Sequence, residues 1–178
     1  NTILILISLL FLTGCMEEKE VSLLLDRNDV KYEVNSEVPF TGRLVMVSPD
    51  GHKVIEGSYK NGKEEGIHTT WYENGRKESE INYKNGREDG LWTKWYKNGQ
   101  KWLEKNYKDG KKEGLFTTYD LEGSVIKTEE YKDGQEEGLH TIWLENGQKT
   151  TETNYKNGEK EGLYTGWYEN GQKENEGN

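Results

Sequence analysis

A segment of 24 residues, GLWTKWYKNGQKWLEKNYKDGKKE, recurs without insertion or deletion, its copies opening at Gly42, Gly66, Gly90, Gly114, Gly138 and Gly162. Each unit of such a chain contacts mainly its neighbours, so a fixed period builds an elongated array instead of a globule wrapped around one pocket. Function is therefore sought along an extended face.

Bulk composition alone points to disorder. The chain has 31% hydrophobic and 32% charged residues, a net charge of -9 and a mean hydropathy of -1.06, a balance that normally fails to offset ordering entropy. Six Trp and eleven Tyr at regular intervals oppose that reading, because these rings offer large burial area and high strand propensity. The expectation is an ordered, thin structure with a highly solvated surface.

Two turns punctuate each copy. The first falls at Asp50-Gly51, Asn74-Gly75, Asn98-Gly99, Glu122-Gly123, Asn146-Gly147 and Asn170-Gly171, the second at Asn61-Gly62, Asn85-Gly86, Asp109-Gly110, Asp133-Gly134 and Asn157-Gly158. Asn-Gly and Asp-Gly tolerate positive φ at both central positions of a type I′ hairpin. The spacing between turns is too short for a usual helix. The expected fold is all-β, an elongated single-layer antiparallel β-meander built from 24-residue hairpin repeats, advancing roughly 9.6 Å per copy.

If both turns are two-residue loops, Leu91, Thr93 and Trp95 share one face with Glu104 and Asn106, while Trp92, Lys94, Tyr96, Trp102 and Tyr107 share the other. Tyr107 then lies across from Gly90, as Tyr59, Tyr83, Tyr131 and Tyr155 lie across from the other opening glycines, an arrangement that reads as aromatic rescue of glycine. The first face carries the candidate interaction residues Trp71, Trp95, Tyr119, Trp143 and Trp167. That ladder packs only on itself, binds protein through residue types enriched in interface hot spots, or stacks on glycan rings.

The pattern of Gly, Leu, aromatic, Thr, Trp, Tyr, Asn-Gly, Lys and then Tyr-Lys-Asn-Gly resembles MORN repeats, and among them the bacterial MORN-variant proteins of the YwqK antitoxin type. The likeness spans residues 42–178 and implies sheet-forming interaction modules, with an antitoxin-like role in neutralising a toxin. Pro39-Phe40-Thr41-Gly42 is similar to the entry segment of lipoproteins in that family. Lys60, Lys84, Lys108, Lys132 and Lys156 beside the second turn depart from eukaryotic units, so the phospholipid binding proposed for some of those is not expected.

The amino-terminal residues form a separate object. An apolar run from Ile3 to Leu12 is too short to cross a bilayer as a helix, which needs roughly 20 residues, and fits the hydrophobic region of a signal peptide. Leu12-Thr13-Gly14-Cys15 resembles the lipobox of bacterial lipoproteins, which makes Cys15 the lipid attachment site. Residues 1–15 are thus expected to be a lipoprotein signal peptide, 16–20 a tether, 21–41 a capping hairpin, and 42–178 five full copies plus a truncated sixth. The missing Met and basic leader, and the halt at Asn178 before a second turn, lead us to expect a sequence clipped at both ends.

No catalytic constellation is expected. His68 and His140 lie three copies apart, roughly 29 Å along the ladder, and read as solvent-facing, as does His52; no metal and no cofactor is assigned. As the only cysteine, Cys15 can form neither an intramolecular disulfide nor a cysteine-based zinc site. Glu56, Glu80, Glu104 and Glu152 form a column whose members share one environment, whereas an acid and a base need different ones. An acidic surface argues against nucleic acid. The sequence-level expectation is a non-enzymatic scaffold at the bacterial cell envelope, anchored to the membrane through Cys15 and serving a protein partner.

Overall fold

The computed structural model describes residues 24–177. Cys15, the apolar run before it and the expected tether lie outside them. Among the described residues the chain forms sixteen strands and no helix.

The first two strands, β1 (Leu24–Arg27) and β2 (Val30–Glu33), make a small sheet of their own around Asn28 and Asp29, both at positive φ. Then follow β3 (Gly42–Val47), β4 (Lys53–Lys60), β5 (Lys63–Trp71), β6 (Lys77–Lys84), β7 (Arg87–Trp95) and β8 (Lys101–Lys108). The remainder are β9 (Lys111–Lys112), β10 (Gly114–Tyr119), β11 (Val125–Lys132), β12 (Gln135–Glu136), β13 (Gly138–Trp143), β14 (Lys149–Lys156), β15 (Glu159–Trp167) and β16 (Lys173–Gly177). Strands β3 to β16 form one open 14-stranded antiparallel sheet in which successive strands pair, β9 and β12 being short offshoots on β8 and β11. The meander is a single layer.

The second turn has the expected geometry. Asn61 and Gly62 sit at φ 52° and 77°, and the pairs at 85, 109, 133 and 157 repeat this. Each turn is bound to the copy before it: the amide of Gly86 donates to the Glu64 carbonyl and that of Asn85 to the Glu65 carboxylate, both at 2.9 Å. Asp89 binds Asp109 N, Glu113 binds Asp133 N and Glu137 binds Asn157 N in the same way. Thr41 does this for Asn61 at 2.8 Å. Glu65, Asp89, Glu113 and Glu137, each just before an opening glycine, are therefore clamps on the next copy's turn, a place that Thr41 fills in the first.

The first turn differs from the expectation of a two-residue type I′ loop. Its Asn stays at negative φ and only the Gly is positive. Tyr72 N donates to Arg76 O and Gly75 N to Tyr72 O, both at 2.9 Å, closing a three-residue loop over Glu73, Asn74 and Gly75. Here Asn serves through its side chain, since Asn74 Oδ1 accepts from Arg76 N at 3.1 Å. The added loop residue is absorbed by a bulge, because Trp95 pairs with Lys101 but Lys94 with Leu103, leaving Trp102 unopposed. Beyond it the register is the expected one, from Lys94 opposite Leu103 to Gly90 opposite Tyr107.

The opening glycine also has a different role. A Cβ added at Gly66, Gly114 or Gly162 would meet no atom within 4 Å, yet their φ values are 76°, 72° and 74°. The backbone bulges there: Tyr83 pairs with Glu88 but Ile81 with Trp92, so Gly90 falls in the irregular stretch. Backbone conformation, and not an overlying tyrosine ring, is what requires glycine.

Rings from successive strands form a column on the tyrosine face. From Phe40 it runs through Tyr59, His68 and Tyr83 with centroids 5.0–5.9 Å apart. It resumes from Trp92 through Tyr107, Phe116, Tyr131 and His140 to Tyr155 at 4.3–6.1 Å. Phe116 is fully buried, and Phe40, Leu44 and Tyr59 form a second core under the first hairpin. His68 and His140 belong to this column, which corrects their reading as solvent-facing; His52 is exposed beside Asp50. Ring positions are filled by whichever residue is flat and large enough, and imidazole qualifies.

Gly114→Ala is expected to destabilise the array by about 1–2 kcal/mol despite the open space around it; an unchanged urea midpoint would refute the backbone explanation. Burial, with the nearby Glu64 charge and Tyr83, raises the Tyr59 phenol to about 12. A raised phenol contributes stability below its unfolded value near 10 and loses it as pH climbs through about 12. Urea unfolding should therefore weaken across that window in the wild type, and less so in Tyr59→Phe.

Candidate functional site

The Leu and Trp face consists of four rows set by the two-residue alternation of the strands. Thr69, Thr93, Thr117, Thr141 and Thr165 are buried along its middle. Opposite them stand Glu80, Glu104 and Glu152, at Thr69, Thr93 and Thr141 respectively. These glutamates are partly buried and each is paired with the lysine three residues earlier: Lys101 to Glu104 at 2.7 Å, and likewise Lys77 to Glu80, Lys149 to Glu152 and Lys53 to Glu56. The same side of an extended strand cannot bring residues three apart together, but the bulge between them does.

Trp71, Trp95, Tyr119, Trp143 and Trp167 lie along this face and are half-buried. Lys53 sits over Trp71 at 5.7 Å, Lys77 over Trp95 and Lys149 over Trp167, both at 5.9 Å. Each cation comes from the preceding copy, so these contacts also join copies. Tyr119 instead donates its hydroxyl to Glu104 at 2.6 Å. Its phenol is pushed up to about 12 by burial and by Glu104, while Lys101 and Tyr119 hold the Glu104 carboxyl below its usual range against the opposing effect of burial. Of the rings expected to form the interaction face, Trp71, Trp95, Tyr119 and Trp167 are thus each engaged by a side chain of the preceding copy.

What stands out of that face is aliphatic. Ile67, Leu91, Leu115, Leu139 and Leu163, one per copy, are each 45–59% exposed. Each directly follows an opening glycine, but nothing local to the sequence indicated that lysines would sit over Trp71, Trp95 and Trp167 and leave the aliphatic row open.

On the opposite face the fourth copy breaks the pattern. In the second and third copies a tyrosine starts the first turn and bonds to the next copy: Tyr72 OH donates to Trp95 O at 2.6 Å and Tyr96 OH to Tyr119 O at 2.8 Å. At that position the fourth copy has Asp120, whose Oδ1 accepts from Ser124 N and Glu122 N and so closes only its own loop. A cleft of about 640 Å³ remains, lined by Asp120, Ile126, Lys127, Ile142, Trp143 and Leu144 among others.

Beside it, Lys127 pairs with Glu129 at 2.9 Å, and Tyr131 OH donates to the same carboxylate at 3.3 Å. Burial alone would raise the Glu129 carboxyl, yet Lys127, Tyr131 and His140 hold it below its usual range. Lys105, in the third copy, stands at 5.3 Å from the Trp92 ring and 5.5 Å from that of Phe116. Burial, then the charges of Lys112, Lys94 and Lys127, lowers its ammonium against the pull of Glu129. Both the cleft and these charges result from departures of single copies from the repeat, a signal that aligning the copies would have revealed.

No curated protein sequence matches the chain. A family model described as MORN repeat variant matches residues 64–85, 88–109, 112–133, 136–157 and 160–178, more than half of the chain and in phase with the hairpins from β5 onward. On those five units, and on the open meander they build, the chain belongs to the MORN repeat variant family.

Proposed function

We propose that this protein is a non-enzymatic, lipid-anchored scaffold of a bacterial cell envelope that binds a protein partner along its exposed aliphatic row. Repeats of its family generally mediate protein or membrane binding. The observation that carries the proposal is the row Ile67, Leu91, Leu115, Leu139 and Leu163. It is apolar, in line and repeated by the period of the fold, and it is flanked by Lys-Glu pairs that suit the polar rim of an interface. Glutamates held alike by neighbouring lysines offer no separated acid and base, which supports the non-enzymatic reading. The anchor rests on Cys15 and the lipobox-like residues before it.

Antitoxin action is a special case of this reading, in which the partner is a toxin. Glycan binding is the reading favoured by the indoles and by the cleft beside Trp143. It predicts quenching or enhancement of Trp fluorescence by envelope polysaccharide, which a protein-binding row does not.

Crosslinking from intact membranes should capture one dominant partner with the wild type. Leu91→Glu with Leu115→Glu should lose it, while circular dichroism stays unchanged; capture by the double variant as strong as by the wild type would refute the aliphatic row. Growth rescue from a co-expressed toxin by the wild type and not by the double variant would identify that partner as a toxin. Metabolic labelling with an acyl probe should mark the wild type and leave Cys15→Ser unlabelled; equal labelling of both would remove the anchor.

A further inference from the structure

We propose that Glu129, Glu136 and His140 form a binding site for one divalent transition-metal ion of the zinc and manganese class. One potential ligand atom from each lies within 4.8 Å of the other two. The side chains are 20%, 34% and 10% exposed respectively, so the imidazole is shielded and the carboxylates leave an entry path.

Imidazole chemistry gives the direction of the site. His140 Nε2 lies 3.1 Å from the Glu130 carbonyl oxygen, and a carbonyl only accepts, so Nε2 carries the hydrogen. In the neutral ring the lone pair is then on Nδ1. Nδ1 faces Glu136 at 3.9 Å, beyond hydrogen-bond reach. A lone pair directed at carboxylates is unfavourable unless a proton or a metal ion lies between them, and the second carboxylate favours the metal.

The carboxylates are prepared in the same way. Lys127 and Tyr131 both bind Glu129 through Oε1, which fixes the side chain and leaves Oε2 for an ion. Outer contacts of this kind, a carbonyl behind the imidazole and donors behind the carboxylate, orient metal ligands. Bonds of about 2.0–2.2 Å in a tetrahedral set separate ligand atoms by roughly 3.4 Å, so the site must close by about an ångström. Glu136, the most exposed of the three, can supply that by rotation. Two carboxylates with one imidazole suit zinc or manganese better than magnesium or calcium, which favour oxygen alone.

The repeat supplies its own control. His68 occupies the place of His140 three copies earlier, and its Nε2 meets the Ser58 carbonyl at 2.8 Å. Glu64 stands where Glu136 does, but Gly57 stands where Glu129 does. A Cβ at Gly57 would come within 2.4 Å of His68 Nδ1, so the first histidine lies against backbone and lacks the second carboxylate. In the intervening copies the histidine position holds Trp92 and Phe116.

The test is calorimetric titration of the full chain, free of added histidine tags and carrying Cys15→Ser so that its thiol cannot take the ion, with zinc chloride and then manganese chloride. Cobalt(II) absorption reports the ligand geometry. The wild-type site should take one ion per chain and raise the melting temperature. His140→Phe, which reproduces the ring that Phe116 places in the preceding copy, and Glu136→Gln should each weaken affinity at least about tenfold while keeping the circular dichroism of the parent. His68→Phe should leave affinity unchanged within about twofold. Absence of saturable binding, unaltered affinity in His140→Phe, or an equal loss in His68→Phe would each overturn the site. If the cation facing Nδ1 is only a proton, no saturable binding is seen and the proposal fails.

Discussion

The array depends on one hydrogen-bonding constraint: the second turn of each copy must present its amides to the preceding segment and to an acceptor side chain there, Thr41 for the first turn and a carboxylate for the next four. The two left-handed residues of the turn aim those amides outward, and Glu65, Asp89, Glu113 and Glu137 receive them twenty residues ahead. A single-layer sheet has no second layer to hold its hairpins together, so this contact joins successive copies at one edge of each hairpin. At the other edge the tyrosine hydroxyls of the first turn perform the same task wherever they are present. Between the edges, rings and cations occupy the area that helices would cover in a two-layer fold.

Because the scaffold is periodic, its exceptions carry information. Asp120 in place of tyrosine removes a bond between copies and leaves the cleft. Glu129 in place of Ile81, Lys105 or Thr153 puts a carboxylate into the ring column beside His140. Tyr119 in place of tryptophan exchanges a cation-over-ring contact for a hydrogen bond to Glu104. All three fall within the fourth copy, residues 114–137. Uniform copies suit a long, repetitive contact, and the irregular one can be selective.

Much of this was legible in the residues. Period, strand order and face assignment followed from the glycine pairs, since alternation of side chains leaves little freedom once a turn is fixed. The first turn was misread because Asn-Gly serves two geometries: in one the asparagine backbone is left-handed, in the other its side chain binds the amide two residues on. The register survived because an unopposed residue such as Trp102 compensates for the longer loop. The candidate ring ladder was placed on the correct face, but its coverage by Lys53, Lys77 and Lys149 involves side chains from neighbouring copies. The histidines were misjudged for the same reason: polarity suggested solvent, while the column needed flat rings.

Local backbone preference and alternation are short-range properties, so the amino-acid sequence alone determined that this chain is a meander of hairpins with a period of 24 residues. Which polar groups meet was decided by tertiary structure. Bulges shift side chains by one or two positions and strands bring residues ten to twenty apart in the chain into contact, as His140 with Glu129 and Glu113 with the Asp133 turn. Those distances depend on how successive copies dock, and no single copy contains that information.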